Sequence, residues 1–251
     1  MENEKEQILV SVIMPAYNAE NYIAQAITSV LEQEVPLELL VIDDHSSDNT
    51  AEIVKRYADG QRVKLIRNEK NLGVAESRNT GIRCARGKYV AFLDADDWWS
   101  SEKLKVQCQK LEESGQVLCC TGRELMNPDG TAQGKVIGVP EQITYQMLLR
   151  TNSIPCSSVV MKTEVAREFY MCHDELHEDY ILWLKVLKKY GSAYGINRPM
   201  LKSRMSEGGK SRNKLKSARM QFGVYRLMGF GWFASWRYFL MYMFYGIRKY
   251  M

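Results

Sequence analysis

Three short segments carry the chemistry of this 251-residue chain: Pro15-Ala16-Tyr17-Asn18, Asp43-Asp44 and Asp94-Ala95-Asp96-Asp97. Each follows an apolar run. Ligands of open α/β sheets bind outside the carboxyl ends of the strands, so a parallel sheet would gather all three on one rim. That rim is acidic and repels a bare phosphate. It accepts a phosphate bridged by Mg²⁺ or Mn²⁺, because a hard cation takes carboxylate oxygens on one side and phosphate oxygens on the other. The usual phosphate cradles are missing. No Gly-x-Gly-x-x-Gly follows the first apolar run, and Gly81 and Gly87-Lys88 have the wrong spacing for a P-loop, with Tyr89 in place of its Ser or Thr. The first loop is therefore expected to grip a base and ribose, and a metal to carry the phosphates. Taken singly, each segment has a plainer role: paired aspartates are common turn formers, and a lone tyrosine often only packs.

The elements that must position these residues alternate. Apolar runs over Ile8 to Met14, Leu37 to Ile42, Val63 to Ile66 and Tyr89 to Leu93 read as strands buried on both faces. Between them, Tyr22, Ile23, Ala26, Ile27, Val30 and Leu31 recur at helical spacing. Ser46, Ser47 and Asp48 offer cap chemistry for a second helix, and Val74 to Cys84 reads as a third. Strand–helix alternation predicts an α/β fold with a mostly parallel central sheet flanked by helices. Beyond Asp97 the pattern loosens. Glu102 to Glu113 and Asp179 to Tyr190 read as helices, Val117 to Cys120 and Ser157 to Met161 as strands, and Asn127-Pro128-Asp129-Gly130 as a turn.

The stretches VSVIMPAYNAENYIAQAITSVLEQ, LLVIDDHSSDNT, NLGVAESRNTGI and GKYVAFLDADDWW resemble, in order and spacing, the family 2 glycosyltransferases of GT-A fold. The resemblance is tight over residues 8–99 and looser to about residue 215. It implies a Rossmann-like GT-A domain over 1–215, with a nucleotide-binding half (8–99), an acceptor-binding half (100–215) and a C-terminal extension over 216–251. It also implies an inverting, metal-dependent transfer from a nucleoside-diphosphate sugar, UDP by family weight, to a saccharide or lipid-linked saccharide in surface polysaccharide synthesis. Pro15, Tyr17 and Asn18 would border the nucleotide. Asp43 and Asp44 would contact the base or shape its pocket, and Arg78 with Asn79 would sit beside it. Asp94 would face the ribose, Asp96 would hold the metal, and Asp97 would support them. Asp179 would be the general base, with Glu178 and Trp183 on the acceptor side. Glu178 and Asp179 also suit simple capping of a helix N-terminus, and His177 suits a pocket wall better than a metal site. Arg204, Lys210 and Arg212 would lie in a mobile segment covering the donor diphosphate. The histidine and tyrosine often found in that segment are missing here. A non-catalytic sugar-nucleotide-binding protein of the same fold is the alternative, which a transfer assay separates.

The net charge of +4 does not argue for nucleic acid. Six cysteines without a Cys-x-x-Cys pair point to reduced thiols rather than a zinc site or disulfides. Met1 to Gln7 is polar and lacks the pattern of a secretory signal, so a cytoplasmic location, peripheral at the inner face of the cell membrane, is expected. Lys210, Arg212, Lys214, Lys216 and Arg219 form a basic run. Leu227 to Ile247 is apolar and aromatic, with Arg237 its only formal charge. The length would span a bilayer, but a central arginine and three glycines weaken that reading. A helix lying on an anionic membrane surface is expected; packing on the domain or on a second subunit, as in a homodimer, is the alternative.

Overall fold

A computed structural model describes residues 7–205 and 214–250. Its first half follows the predicted alternation. Strands β1 (Val10–Ala16), β2 (Leu37–Asp43), β3 (Val63–Arg67) and β4 (Tyr89–Phe92) are parallel and lie in the order β3-β2-β1-β4. The chain reverses its order of addition at β1, which opens a crevice between β1 and β4 at their carboxyl ends. Helices α1 (Ile23–Leu31), α2 (Thr50–Tyr57) and α3 (Val74–Cys84) connect the strands. Both faces of the sheet are buried. Ile13, Leu40 and Ile42 pack with Ala75 and Ile82 of α3 on one face, and Val12, Met14 and Val41 pack with Ile23 and Ile27 of α1 on the other. A Cβ on Gly81 would stand 2.4 Å from the Ile13 side chain, so α3 reaches β1 only through a glycine.

The second half is mixed rather than parallel. Beyond β4 the sheet adds β5 (Trp98–Trp99), β6 (Leu118–Met126), β9 (Val160–Lys162) and β10 (Ser192–Arg204), with β7 (Ala132–Ile137) and β8 (Gln142–Thr144) attached at the side. Strand β9 is antiparallel to β4 and β6, whereas β6 and β10 are parallel. Between them come α4 (Lys103–Ser114), α5 (Tyr145–Arg150), α6 (Thr163–Phe169) and α7 (Glu178–Tyr190). The strand expected from Ser157 begins only at Val160, after a 3₁₀ turn over Cys156–Ser158. Arg204, expected in a mobile segment, lies inside β10 and pairs with Met126 of β6.

Two helices close the chain, α8 (Lys214–Leu227) and α9 (Trp232–Tyr250). They pack on the domain: Val224 and Tyr225 are fully buried in its larger core, and the Tyr225 hydroxyl donates to the Leu149 carbonyl at 2.8 Å. Among the described residues no helix is long and apolar enough to cross a membrane.

Candidate active site

The carboxyl ends of β1 and β2 build a first cavity of about 250 Å³, lined by Pro15, Tyr17, Asp44, Gly73, Ser77 and Asp174. Tyr17 is 54% exposed. Asp44 is buried and braces the wall. Its Oδ1 accepts from Asn68 Nδ2 at 2.7 Å and from the Leu72 N–H at 2.9 Å, and its Oδ2 accepts from the Gly73 N–H at 2.8 Å. Gly73 has φ +88°, and a Cβ there would stand 2.6 Å from Asp174 Oδ2. Asp174 in turn accepts from the Ala75 N–H at the start of α3. Asn18 and Asp43 tie loops rather than face the cavity. Asn18 Oδ1 accepts from the Ser47 N–H at 2.9 Å. Asp43 is fully buried, accepts from the Ser46 N–H and pairs with Arg67.

Val74 lines both this cavity and a second one of about 510 Å³. The larger cavity brings together Arg78, Asp94, Asp96, His177, Glu178 and Asp179. Buried Arg78 spans it, donating through Nη2 to Asp94 at 2.6 Å and through Nη1 to Glu178 at 2.9 Å. Neighbouring Asn79 does not border it; its amide bonds the Met171 backbone in both directions. Asp179, partly buried in the first turn of α7, has its pKa pushed up to about 7. Burial is the main cause and the Glu178 charge the next; Arg78 and the Tyr180 N–H pull the other way. Asp97 is buried beside Asp96 at the same cavity, and burial, then the charges of Asp96 and Asp94, hold its carboxyl well above the ordinary range.

Two further expectations are corrected. Trp183 does not line the acceptor side: it is fully buried and packs on Phe92, ring centroids 6.1 Å apart. Helix α7 is buried nearly all round, so a residue one turn beyond Asp179 meets core rather than cavity. Arg204 does not cover a diphosphate either. Its Nε donates to the Asp96 carbonyl at 3.0 Å, Nη1 to the Pro128 carbonyl at 2.6 Å and Nη2 to Gln25 at 2.7 Å, and its N–H donates to Asp97 at 2.9 Å. The guanidinium also lies over the rings of Tyr22 and Trp98. Arg204 thus braces the loop that carries Asp96. Lys210 and Arg212 lie outside the described residues. His177 lines the cavity and meets Ser217 of α8. Sequence reasoning missed Asp174 and Ser157; the Ser157 hydroxyl accepts the Asp94 N–H at 3.1 Å, a link with no local signal 63 residues apart in the chain.

For a divalent cation the donor set is partial. Among the described residues no group of three or more His, Cys, Asp or Glu could enclose a metal, yet Asp94 and Asp96 both line the cavity. One or two carboxylates with the remaining positions left to phosphate oxygens and water is the usual arrangement for Mg²⁺, so the residues fit a cation shared with a phosphorylated ligand.

Comparison with known proteins adds four findings. The family model described as glycosyl transferase family 2 matches residues 11–166. The chain is 38% identical over 247 residues, covering 97% of itself and 96% of its relative, to the UDP-Glc:alpha-D-GlcNAc-diphosphoundecaprenol beta-1,3-glucosyltransferase WfgD of Escherichia coli. Among solved structures it resembles S. aureus TarS 1–349 in complex with UDP-GlcNAc (TM-score 0.71, 21% identity, 87% of this chain and 66% of that one). It also resembles the mannosyltransferase PcManGT of Pyrobaculum calidifontis with GDP-Man and Mn²⁺ (TM-score 0.68, 19% identity, 88% and 64%). The chain spans just under two thirds of either solved structure, and these two likenesses are of fold.

Proposed function

The chain belongs to glycosyl transferase family 2 and has the GT-A fold, and we propose that it moves a sugar from a UDP-sugar to a hydroxyl of a lipid-linked saccharide, with inversion, in surface polysaccharide assembly at the inner membrane face. The observation that carries this reading is that Asp94, Asp96 and Asp179 face one cavity, which adjoins the Tyr17–Asp44 pocket at Val74. The E. coli relative, named for transfer from UDP-Glc to GlcNAc-diphosphoundecaprenol, supports the donor and acceptor classes.

On this reading Pro15 and Tyr17 flank the base, Asp44 holds the pocket wall, and Asp94, oriented by Arg78, meets the ribose. Asp96 would hold the cation. When bound, a divalent cation stabilises the negative charge of the departing diphosphate. Asp179 takes the proton of the acceptor hydroxyl, whose oxygen attacks the anomeric carbon. The bond from that carbon to the diphosphate oxygen breaks on the opposite face, and its electron pair leaves with the nucleoside diphosphate. A base poised near neutral pH suits this step, and positioned bases contribute roughly 10²–10⁴-fold.

The test is a panel of sugar nucleotides scored for metal-dependent thermal stabilisation, followed by transfer assays on lipid-linked saccharides. Asp179→Asn should remove transfer and keep donor binding. Preserved turnover with lost donor binding would refute the role of Asp179.

A further inference from the structure

The two faces of α9 are chemically unlike. Trp232, Phe233, Trp236, Leu240, Met243 and Phe244 recur at helical spacing and are exposed, Phe233 at 89% and Leu240 at 62%. The other face is inside the fold. Ser235 is fully buried, Tyr238 packs at a tilt on Tyr225 and Phe230, and Tyr242 packs on Tyr180, ring centroids 6.3 Å apart. Tyr180 directly follows Asp179, and Tyr242 itself lines the large cavity together with Ser217 of α8. One helix therefore presents a bare apolar stripe outward and a wall of the catalytic cavity inward.

The charge around this stripe says what covers it. The chain has 34 basic and 30 acidic residues. Nine of the basic and none of the acidic ones lie beyond Glu207, which leaves the first 207 residues five charges net negative. Arg219, Arg226 and Arg237, on the two helices, are exposed. An apolar, tryptophan-containing face rimmed by arginines complements the headgroup layer of an anionic leaflet, where indole rings settle and basic side chains meet lipid phosphates. A second copy is a poor match, because a two-fold contact sets the same patch against itself and would oppose two uncompensated basic segments.

Resting on the lipid-linked acceptor proposed above, we propose that the outer face of α9 seats on an anionic lipid surface and that α9 thereby forms the membrane-side wall of the acceptor cavity. A saccharide on a lipid diphosphate then reaches Asp179 past Tyr242 while its hydrocarbon tail stays in the bilayer. The helix is both anchor and entrance, so loss of the anchor removes activity toward lipid-bound acceptors and spares the chemistry.

The test uses the full chain, UDP-glucose, and vesicles of phosphatidylglycerol with phosphatidylethanolamine, set against neutral phosphatidylcholine. The wild type should float with the anionic vesicles and be released by salt. Phe233→Ser/Leu240→Ser, two changes at exposed positions, should lower flotation about tenfold or more through lost apolar burial. Transfer to GlcNAc-diphosphoundecaprenol in those vesicles should fall in parallel, while transfer to GlcNAc-diphosphate on a short water-soluble chain should hold within about twofold. Unchanged flotation overturns the docking. Lost flotation with unchanged transfer to the lipid acceptor overturns the entrance. A change from dimer to monomer in lipid-free sedimentation assigns the face to a second copy and overturns the proposal. Wild type that floats yet transfers to neither acceptor would instead defeat the catalytic reading, with the docking intact.

Discussion

Replacing Glu178 by Gln should move the pH dependence of transfer while leaving the fold in place. Asp179 stands at about 7 against an ordinary 3.8. That rise of about three pH units is worth roughly 4 kcal/mol at about 1.36 kcal/mol per unit. Burial is the larger cause and the Glu178 charge the second, so removing that charge should return about one pH unit, or ~1.4 kcal/mol. The Gln side chain still accepts from Arg78 Nη1, whose charge then acts less opposed on Asp179. Both effects favour the ionised base. The acidic limb of kcat/KM, which reports the free enzyme, should therefore fall from about 7 to about 6. At pH 6 the ionised fraction of Asp179 would rise about fivefold. The assay is initial-rate transfer between pH 5 and 9 at saturating metal, with circular dichroism to check folding. An acidic limb that stays put or moves upward would refute the reasoning, since neither is compatible with a like charge beside the base.

Four further outcomes follow from the same geometry. Tyr17→Ala should raise the donor KM by about tenfold or more with kcat little changed, because a stacked base is worth roughly 1–3 kcal/mol. Gly73→Ala should cost about 1–3 kcal/mol in unfolding free energy and weaken donor binding by isothermal titration, since φ +88° and the 2.6 Å approach to Asp174 both resist a side chain. Arg204→Met should raise the metal concentration for half-maximal donor binding, and Arg204→Lys should not restore it, because one ammonium cannot reproduce bonds to Asp96, Pro128 and Gln25 at once. Asp179→Asn should raise the melting temperature more at pH 8 than at pH 4. A carboxyl whose folded pKa lies above its unfolded value destabilises nothing below about 4 and reaches its full cost, at most ~4 kcal/mol, above about 7.

The first half was legible because β1, β2 and β4 are buried along their whole length, so apolar runs marked the strands, and Asp43 and Asp94 after two of them marked the rim. Helix α3 was expected over Val74 to Cys84, where it lies. The second half lacks that regularity. Strand β10 carries Arg198 and Pro199 in mid-strand and shifts register on both sides of Pro199, which conceals its period. The partners of Arg204 include two backbone carbonyls, and any residue supplies a carbonyl, so a strut and a phosphate ligand look alike in sequence. The pairing of Arg78 with Glu178 joins residues 100 apart in the chain and rests wholly on the sheet's topology.

Whether Glu178-Asp179 caps a helix or serves chemistry turns on which electrostatic effect prevails. A carboxylate in the first turn of a helix is favoured by the macrodipole, which lowers its pKa and is worth about 0.3–1 kcal/mol at exposed sites. A pure cap would therefore titrate below an ordinary aspartate. Asp179 does accept from the Tyr180 N–H, at 2.7 Å, but that is the next residue, not the two- or three-residue reach of a cap. Its pKa nonetheless lies well above 3.8, because burial at the cavity wall and the neighbouring Glu178 outweigh the helix end. The fold thus keeps at this position a carboxyl group that is unfavourable for stability and suited to taking a proton at neutral pH. Glu178 differs: its Oε1 accepts from Arg78 Nη1 at 2.9 Å, so a buried opposite charge balances it. The two acids that resemble each other in sequence are separated by which of them the buried guanidinium meets.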